Sequence, residues 1–469
     1  MKHKYAKHTN NKTAQITVDQ RSRADRKADG KAMRLAVPLA SHGVWQAPQD
    51  RRDPIELLIE SGIGRVPELL PIRYGRMLQS PFTFYRGAAA IMAADLADLP
   101  KTGIHVQACG DCHLLNFGGF GTPERRLIFA INDFDETLPA PWEWDIKRLT
   151  TSFVVASRHN GFTANEIREA TQICVRSYRE HIREFSKMNA LEVWYFSIDA
   201  EKLIDTIEDT NTKQRFKKRV TKARDRDVMD EDFPELVTFE DGRHRIRDKP
   251  PLIYHNQTEE AAIIEARVRD GFERYRATLA DDRRVLLDRY ELKDIAMKVV
   301  GVGSVGTRCS IVLLMGGAEE PLFLQVKEAR NSVLEPYAGN SAYSNRGQRV
   351  VMGQRLMLSA SDIFLGWVEG EYGNHFYIRQ MRDMKIKPLV ELFTPSTMNQ
   401  YAELCGWTLA HAHARSGDAA KIAGYLGKNE DFDEALTDFA EAYADQNERD
   451  YKALKSAVQK GQLEVYIES

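Results

Sequence analysis

Gly110-Asp111-Cys112-His113-Leu114-Leu115-Asn116, followed one apolar run later by Ile131-Asn132-Asp133-Phe134-Asp135, holds the densest chemistry in the chain. A carboxylate, a carboxamide five residues on and a further acidic cluster after the next predicted strand form one constellation. Phosphoryl transfer asks little covalent work of a protein. It needs an oriented acceptor hydroxyl and one or two Mg²⁺ ions to neutralise phosphate charge. Asp111 suits the first task as the catalytic carboxylate, and Asn116 and Asp133 are hard oxygen ligands suited to the second. Asp111 and Asn116 also suit plain turns, which favour both residue types. The acidic cluster between an apolar strand and Pro139 weighs against that alternative.

Cys109-Gly110-Asp111-Cys112-His113 also matches the C-x-x-C-H pattern of covalent haem attachment, and C-x-x-C suits redox or zinc chemistry. Haem attachment requires export, and the polar Lys/Arg-rich stretch 1–34 lacks the apolar core of a signal peptide. A structural zinc site would need a second ligand pair, whereas Cys174, Cys309 and Cys405 stand apart in the sequence. Five scattered cysteines suggest reduced thiols in the cytoplasm. The 469 residues are 43% hydrophobic and 29% charged with net charge -2, a composition that gives no general affinity for nucleic acid. No apolar run nears the roughly 20 residues of a membrane span.

Around the opening loop the pattern is largely helical, with predicted helices over 55–61, 88–99, 142–159 and 164–185 and strands over 104–109 and 126–131. Residues 201–250 are the most charged and least patterned, a solvated helical insertion or a charged linker, with a lid or acceptor-docking role as a further option. Strands are predicted over 294–302, 308–315 and 321–326, a helix over 346–359 and a hairpin from 363–369 to 375–381. The chain is then helical from 397, broken at Gly417 and Gly427. The expected α+β organisation is a basic mobile tail (1–50), a helical lobe with the catalytic and metal loops (51–200), the insertion, a β-rich nucleotide-binding lobe (251–395) and closing helices (396–469).

Gly301, Gly303, Ser304 and Gly306 lie between two of those strands. A glycine-rich turn lets backbone N–H groups approach phosphates, although an ordinary hairpin turn would look the same. Lys327 ends a later apolar strand, where it can reach nucleotide phosphates or simply face water. Glu335, or less readily Glu328, is the candidate carboxylate partner for Lys327.

Further stretches make a resemblance specific: Arg73-Tyr74-Gly75-Arg76-Met77, Ser80-Pro81-Phe82, Phe84-Tyr85-Arg86-Gly87, Trp144-Asp145 with Arg148-Leu149, Gly347-Gln348-Arg349-Val350-Val351, and His413-Ala414-Arg415-Ser416-Gly417-Asp418. With the opening loop, they resemble bacterial domain-of-unknown-function family 2252 over nearly the whole chain after the tail. The family looks related to the protein-kinase-like superfamily, and Gly110-Asp111-x-His113-x-x-Asn116 is similar to the loop of aminoglycoside phosphotransferases. The resemblance implies a two-lobed, protein-kinase-like fold, with ATP and Mg²⁺ as cofactors and a hydroxyl-bearing acceptor. It gives Asp145 and His113 a structural role behind the loop. The kinase order is reversed here, because the glycine-rich turn and lysine come late. The helix around His411 and His413 looks like the one preceding the catalytic loop in aminoglycoside and choline kinases. Reading from Asp294 to the end and then from the start restores the usual order, as a circular permutation would. Phe134-Asp135 stands where protein kinases have Phe-Gly, which favours a small-molecule acceptor and makes Asp135 a possible second metal ligand. His411 and His413 suit packing or bracing, and Arg73 and Arg86 suit phosphate binding or salt bridges. The competing expectations are a nucleotide-binding pseudokinase scaffold and an AMP-transferring enzyme on the same fold.

Overall fold

A computed structural model describes residues 13–206, 210–224, 233–240, 242–255, 261–299, 301–317, 319–381 and 384–467. The protein is mixed α+β with antiparallel sheets, as its alternating patterns predict. The largest sheet has six strands in the order Gly366–Glu369, His375–Gln380, Pro321–Ala329, Cys309–Gly316, Tyr290–Lys298, Ile253–Tyr254. Its centre is a meander whose apolar alternation buries one face against Leu236, Val237 and Ile246 and the other against Tyr275, Leu279 and Phe364. The helix Arg346–Met357 connects the lysine-bearing strand to the hairpin that finishes the sheet.

The helical part is built on Trp142–His159, Ala164–Phe185, Pro395–Ser416 and Asp431–Gln459. Trp142–His159 is buried along sixteen consecutive residues, Trp142 to Ser157, so it is the central post of this half. Thr163 caps the next helix through a capping box with Glu166, and Gly417 and Gly427 close the helices that precede them. Two smaller sheets carry the loops of interest. His105–Ala108 pairs with Leu138–Pro141, and Phe117–Gly121 lies between Leu127–Ile131 and Lys385–Ile386.

Two expectations about organisation change. Residues 13–50, taken from their polarity as part of a mobile tail, are packed. The helix Arg23–Ala32 lies so close to Ala419–Leu426 that a Cβ on Gly30 would meet Lys421 O at 2.0 Å, and one on Gly424 would meet Lys27 O at 2.1 Å. Asp25, Lys27 and Lys31 are exposed while Arg26 bonds Asp418 at the start of the facing helix, so a charged composition that reads as a tail belongs to a docked helix. The expectation for residues 1–12 lies outside the described residues. Within 201–250, Phe216 and Val220 pack on Leu127, Met384 and Ile386, and the hairpin Val237–Glu240/Arg243–Ile246 docks on the large sheet. The described parts of this region are therefore anchored rather than wholly solvated; 207–209, 225–232 and 241 fall outside the described residues.

Candidate active site

The loop from Cys109 to Asn116 is held from behind. Cys109 N–H donates to Asp145 Oδ2 at 2.6 Å and Gly110 N–H to Oδ1 at 3.0 Å. His413 Nε2 lies 3.2 Å from Asp145 Oδ2, and Tyr178 Oη 2.8 Å from His413 Nδ1. A carboxylate only accepts, so Nε2 donates to Asp145, and the ring links it to Tyr178. Gly110 has φ +83°, and a Cβ there would meet Glu136 O at 2.4 Å, so both conformation and space require glycine. His411 is separate from this group and bonds Val193 O at 3.0 Å.

Asp111 faces the cavity with one oxygen tied. Buried Arg148 reaches Oδ1 through Nε at 2.7 Å and Nη2 at 2.5 Å, while Nη2 also donates to Tyr85 O. Asp145 and Arg148 are three residues apart on one helix, so a single face grips the loop backbone and aims its carboxylate. Asp111 Oδ2 lies 3.9 Å from His113 Nε2, and burial pushes the His113 ring down to about 3, keeping it neutral. Asn116 Nδ2 donates to Asp111 O at 2.6 Å, bracing the turn across its width.

The lysine arrives from the large sheet. Lys327 is directly opposite Tyr377 and Gln325 opposite Arg379, so the two-residue period puts all four on the face that meets the acidic loop. Lys327 Nζ is 2.5 Å from Asp135 Oδ2 and 3.6 Å from Asp133 Oδ2. Asp135 Oδ2 also accepts from Ser304 Oγ at 3.0 Å, and its Oδ1 from Tyr377 Oη at 2.8 Å. Burial raises the Asp133 carboxyl, but Lys327 and Arg379 outweigh it and hold the group below its ordinary value.

The sequence-derived residues Asp111, His113, Asn116, Asp133, Asp135, Gly301, Gly303, Ser304 and Lys327 all line one cavity of about 890 Å³. Gly306 lies just beyond it, at φ +86°, and accepts Val66 N–H at 2.7 Å. Glu335 is not the lysine's partner: its carboxylate accepts the Ser332 N–H at 3.3 Å. Glu328 points to the other face and bonds Arg308. Arg346–Met357 contains no acidic residue, so no helix-borne glutamate from that segment can serve Lys327. It supplies Arg349 instead, whose guanidinium donates to the carbonyls of Thr137, Asp135 and Arg330 and fixes the acidic loop. Arg148, Arg349, Tyr377 and Arg379 were not singled out from sequence as site residues. Alternation along the strand could have found the last two.

Cys109 and Cys112 are free and buried beneath the loop, as are Cys174, Cys309 and Cys405 elsewhere. Among the described residues no three His, Cys, Asp or Glu side chains converge as a ready metal site. Asp133 and Asp135 nevertheless approach a single cationic atom together, and Asn116 lines the same cavity. Two carboxylates and an amide oxygen are a donor set that fits Mg²⁺, which keeps several waters and takes few protein ligands.

No helix among the described residues is long and apolar enough to cross a membrane. No curated protein and no solved structure matches the chain. A family model described as an uncharacterized protein conserved in bacteria, DUF2252, matches residues 65–457, and it is to this family that the chain belongs.

Proposed function

We propose that the protein is an ATP- and Mg²⁺-dependent phosphotransferase with a circularly permuted, kinase-like fold, acting on a hydroxyl of a small-molecule acceptor. The carrying observation is that Lys327 and the turn 301–304 meet Asp111, Asp133 and Asp135 around one cavity, although some two hundred residues separate the two groups. A strand lysine, a glycine-rich turn and a carboxylate–carboxamide loop serve phosphoryl transfer together, and each means little alone. Lys327 and the backbone of 301–304 would bind the nucleotide phosphates. Bound by Asp133, Asp135 and Asn116, Mg²⁺ would neutralise phosphate charge. Asp111 would orient the acceptor hydroxyl through Oδ2 and take its proton as the acceptor oxygen bonds the γ-phosphorus. The bond from that phosphorus to the bridging oxygen breaks, and ADP leaves with the electron pair.

Calorimetric titration with ATP and Mg²⁺, followed by a turnover assay, tests this reading. At 100 times its dissociation constant, nucleotide should add about 2.7 kcal/mol to stability. Asp111→Asn should keep that binding and lose turnover; no nucleotide binding at all would sink the proposal. The clamp of Arg148 on Asp111 Oδ1 favours one second reading, a pseudokinase whose aspartate is structural. Nucleotide binding without phosphate release to any acceptor would support it, and an acceptor gaining the mass of AMP would indicate nucleotidyl transfer instead.

A further inference from the structure

The chain carries net charge -2, yet among the described residues its cavity is lined by ten Lys or Arg and five Asp or Glu. Lys327 and the turn 301–304 answer to the nucleotide phosphates in the reading above. A second group of cations comes from a different stretch, residues 65–87. Arg73 is 2% exposed; its Nη2 donates to Gly87 O at 3.2 Å, while Nε and Nη1 are buried without a hydrogen-bond partner among the described residues. Arg86 Nε is likewise buried, with no hydrogen-bond partner among the described residues. Neither arginine has a carboxylate within ion-pair distance among the described residues, so the salt bridges expected as one option for them are absent there. Arg65 sits nearby and donates to Ser61 O and Val305 O, tying the glycine-rich turn to this wall. Burial, with repulsion from neighbouring arginines, pushes Arg65 down to about 9 and Arg73 to about 10.

Asp111 and Glu391 act on Arg86, and Glu136 on Arg73, only from beyond ion-pair distance, and a buried guanidinium without a direct partner is costly unless something completes it. Its planar fork suits a phosphate group, which accepts two parallel N–H bonds. The wall also adjoins the reacting carboxylate: a Cβ on Gly303 would lie 3.5 Å from Arg86 O and 3.8 Å from Asp111 Oδ2. We propose that Arg73 and Arg86 form a second anion seat, and that the acceptor is a hydroxyl compound already bearing a phosphate group held there while its hydroxyl faces Asp111. The excess of cations disfavours amine-rich acceptors. The acceptor's identity as a hydroxyl compound rests on the phosphotransferase reading, whereas the anion seat does not.

The test titrates inorganic phosphate into the full chain, alone and saturated with Mg²⁺ and a non-hydrolysable ATP analogue, by calorimetry and ³¹P linewidth. Wild-type protein should bind phosphate in both states. Arg86→Gln should weaken phosphate binding about tenfold or more, the loss of one charge-assisted contact, and leave analogue affinity unchanged. Arg73→Gln, checked for folding by circular dichroism, should act in the same direction. Lys327→Met should do the reverse, losing the analogue and keeping phosphate. The seat is overturned if wild type binds no phosphate, if the analogue displaces it, or if Arg86→Gln binds phosphate as wild type does. Arg86-dependent phosphate binding without any analogue binding would refute the phosphotransferase reading and leave the seat standing.

Discussion

Asp145 is 1% exposed and accepts two consecutive backbone N–H groups while facing His413, so it carries the geometry of the Asp111 loop. Asp145→Ala would leave those donors buried and unpaired, and should cost about 3–5 kcal/mol in urea unfolding. Gly110→Ala is expected to cost about 1–3 kcal/mol by the same measurement, from the positive φ and the contact with Glu136 O. Should either variant unfold like wild type, the loop is not held as described. Asp111, Asn116, Asp133 and Asp135 were legible in the sequence because they cluster locally. The partner of Lys327 was not, because kinase-like spacing directs attention to a helix-borne glutamate that Arg346–Met357 does not contain. Asp135 fills the role through tertiary approach alone, and the grip of Arg148 on Asp111 depends in the same way on packing that no spacing encodes.

The helix Trp142–His159 shows what burying an entire element demands of its charged residues. Lys147 Nζ has no hydrogen-bond partner among the described residues and sits 4.3 Å from the Phe439 ring centroid. Burial pushes its amine down to about 7 from 10.5, with Glu143 pulling the other way. Between pH 10.5 and 7 the unfolded chain therefore holds a proton that the folded chain lacks. Stability should fall as pH drops through that window, and the penalty should be complete below pH 7. Lys147→Met should gain about 2–4 kcal/mol at pH 6.5 and flatten the profile between pH 7 and 10, read by denaturant unfolding across pH. An unchanged profile would mean that the amine finds water or a carboxylate. The helix itself was legible, with both ends where periodicity put them, as were Ala164–Phe185 and the meander. The strand Phe117–Gly121 was not, because three of its five residues are glycine. The glycines are there for the neighbouring strand: a Cβ on Gly118 would meet Ile386 O at 2.4 Å, and one on Gly121 the Met384 Cβ at 2.6 Å.

At the scale of the whole molecule, residues 23–45 join the N-terminal stretch to the last two helices. His42 is fully buried, with Nε2 2.6 Å from Tyr425 Oη, and Trp45 packs edge-on to Tyr443 with ring centroids 4.9 Å apart. Tyr425 and Phe432 in turn pack against Trp142, the first residue of the helix that carries Asp145 and Arg148. The segment thus covers the N-terminal end of the helix, the same end whose Asp145 and Arg148 hold the Asp111 loop, while Arg23–Ala32 closes over Ala419–Leu426 through Gly30 and Gly424. A side chain at Gly30 has no room, since the obstacle is backbone rather than a movable side chain. Gly30→Val should therefore undock Arg23–Ala32, exposing residues 13–46 to limited proteolysis while the remainder stays folded. Urea unfolding of that variant should show a loss of about 1–3 kcal/mol, the range for overpacking. Deleting residues 1–50 should cost more, because Leu39, His42 and Trp45 leave aromatic surface uncovered. Wild-type proteolysis and stability in both variants would return the segment to the status of a tail.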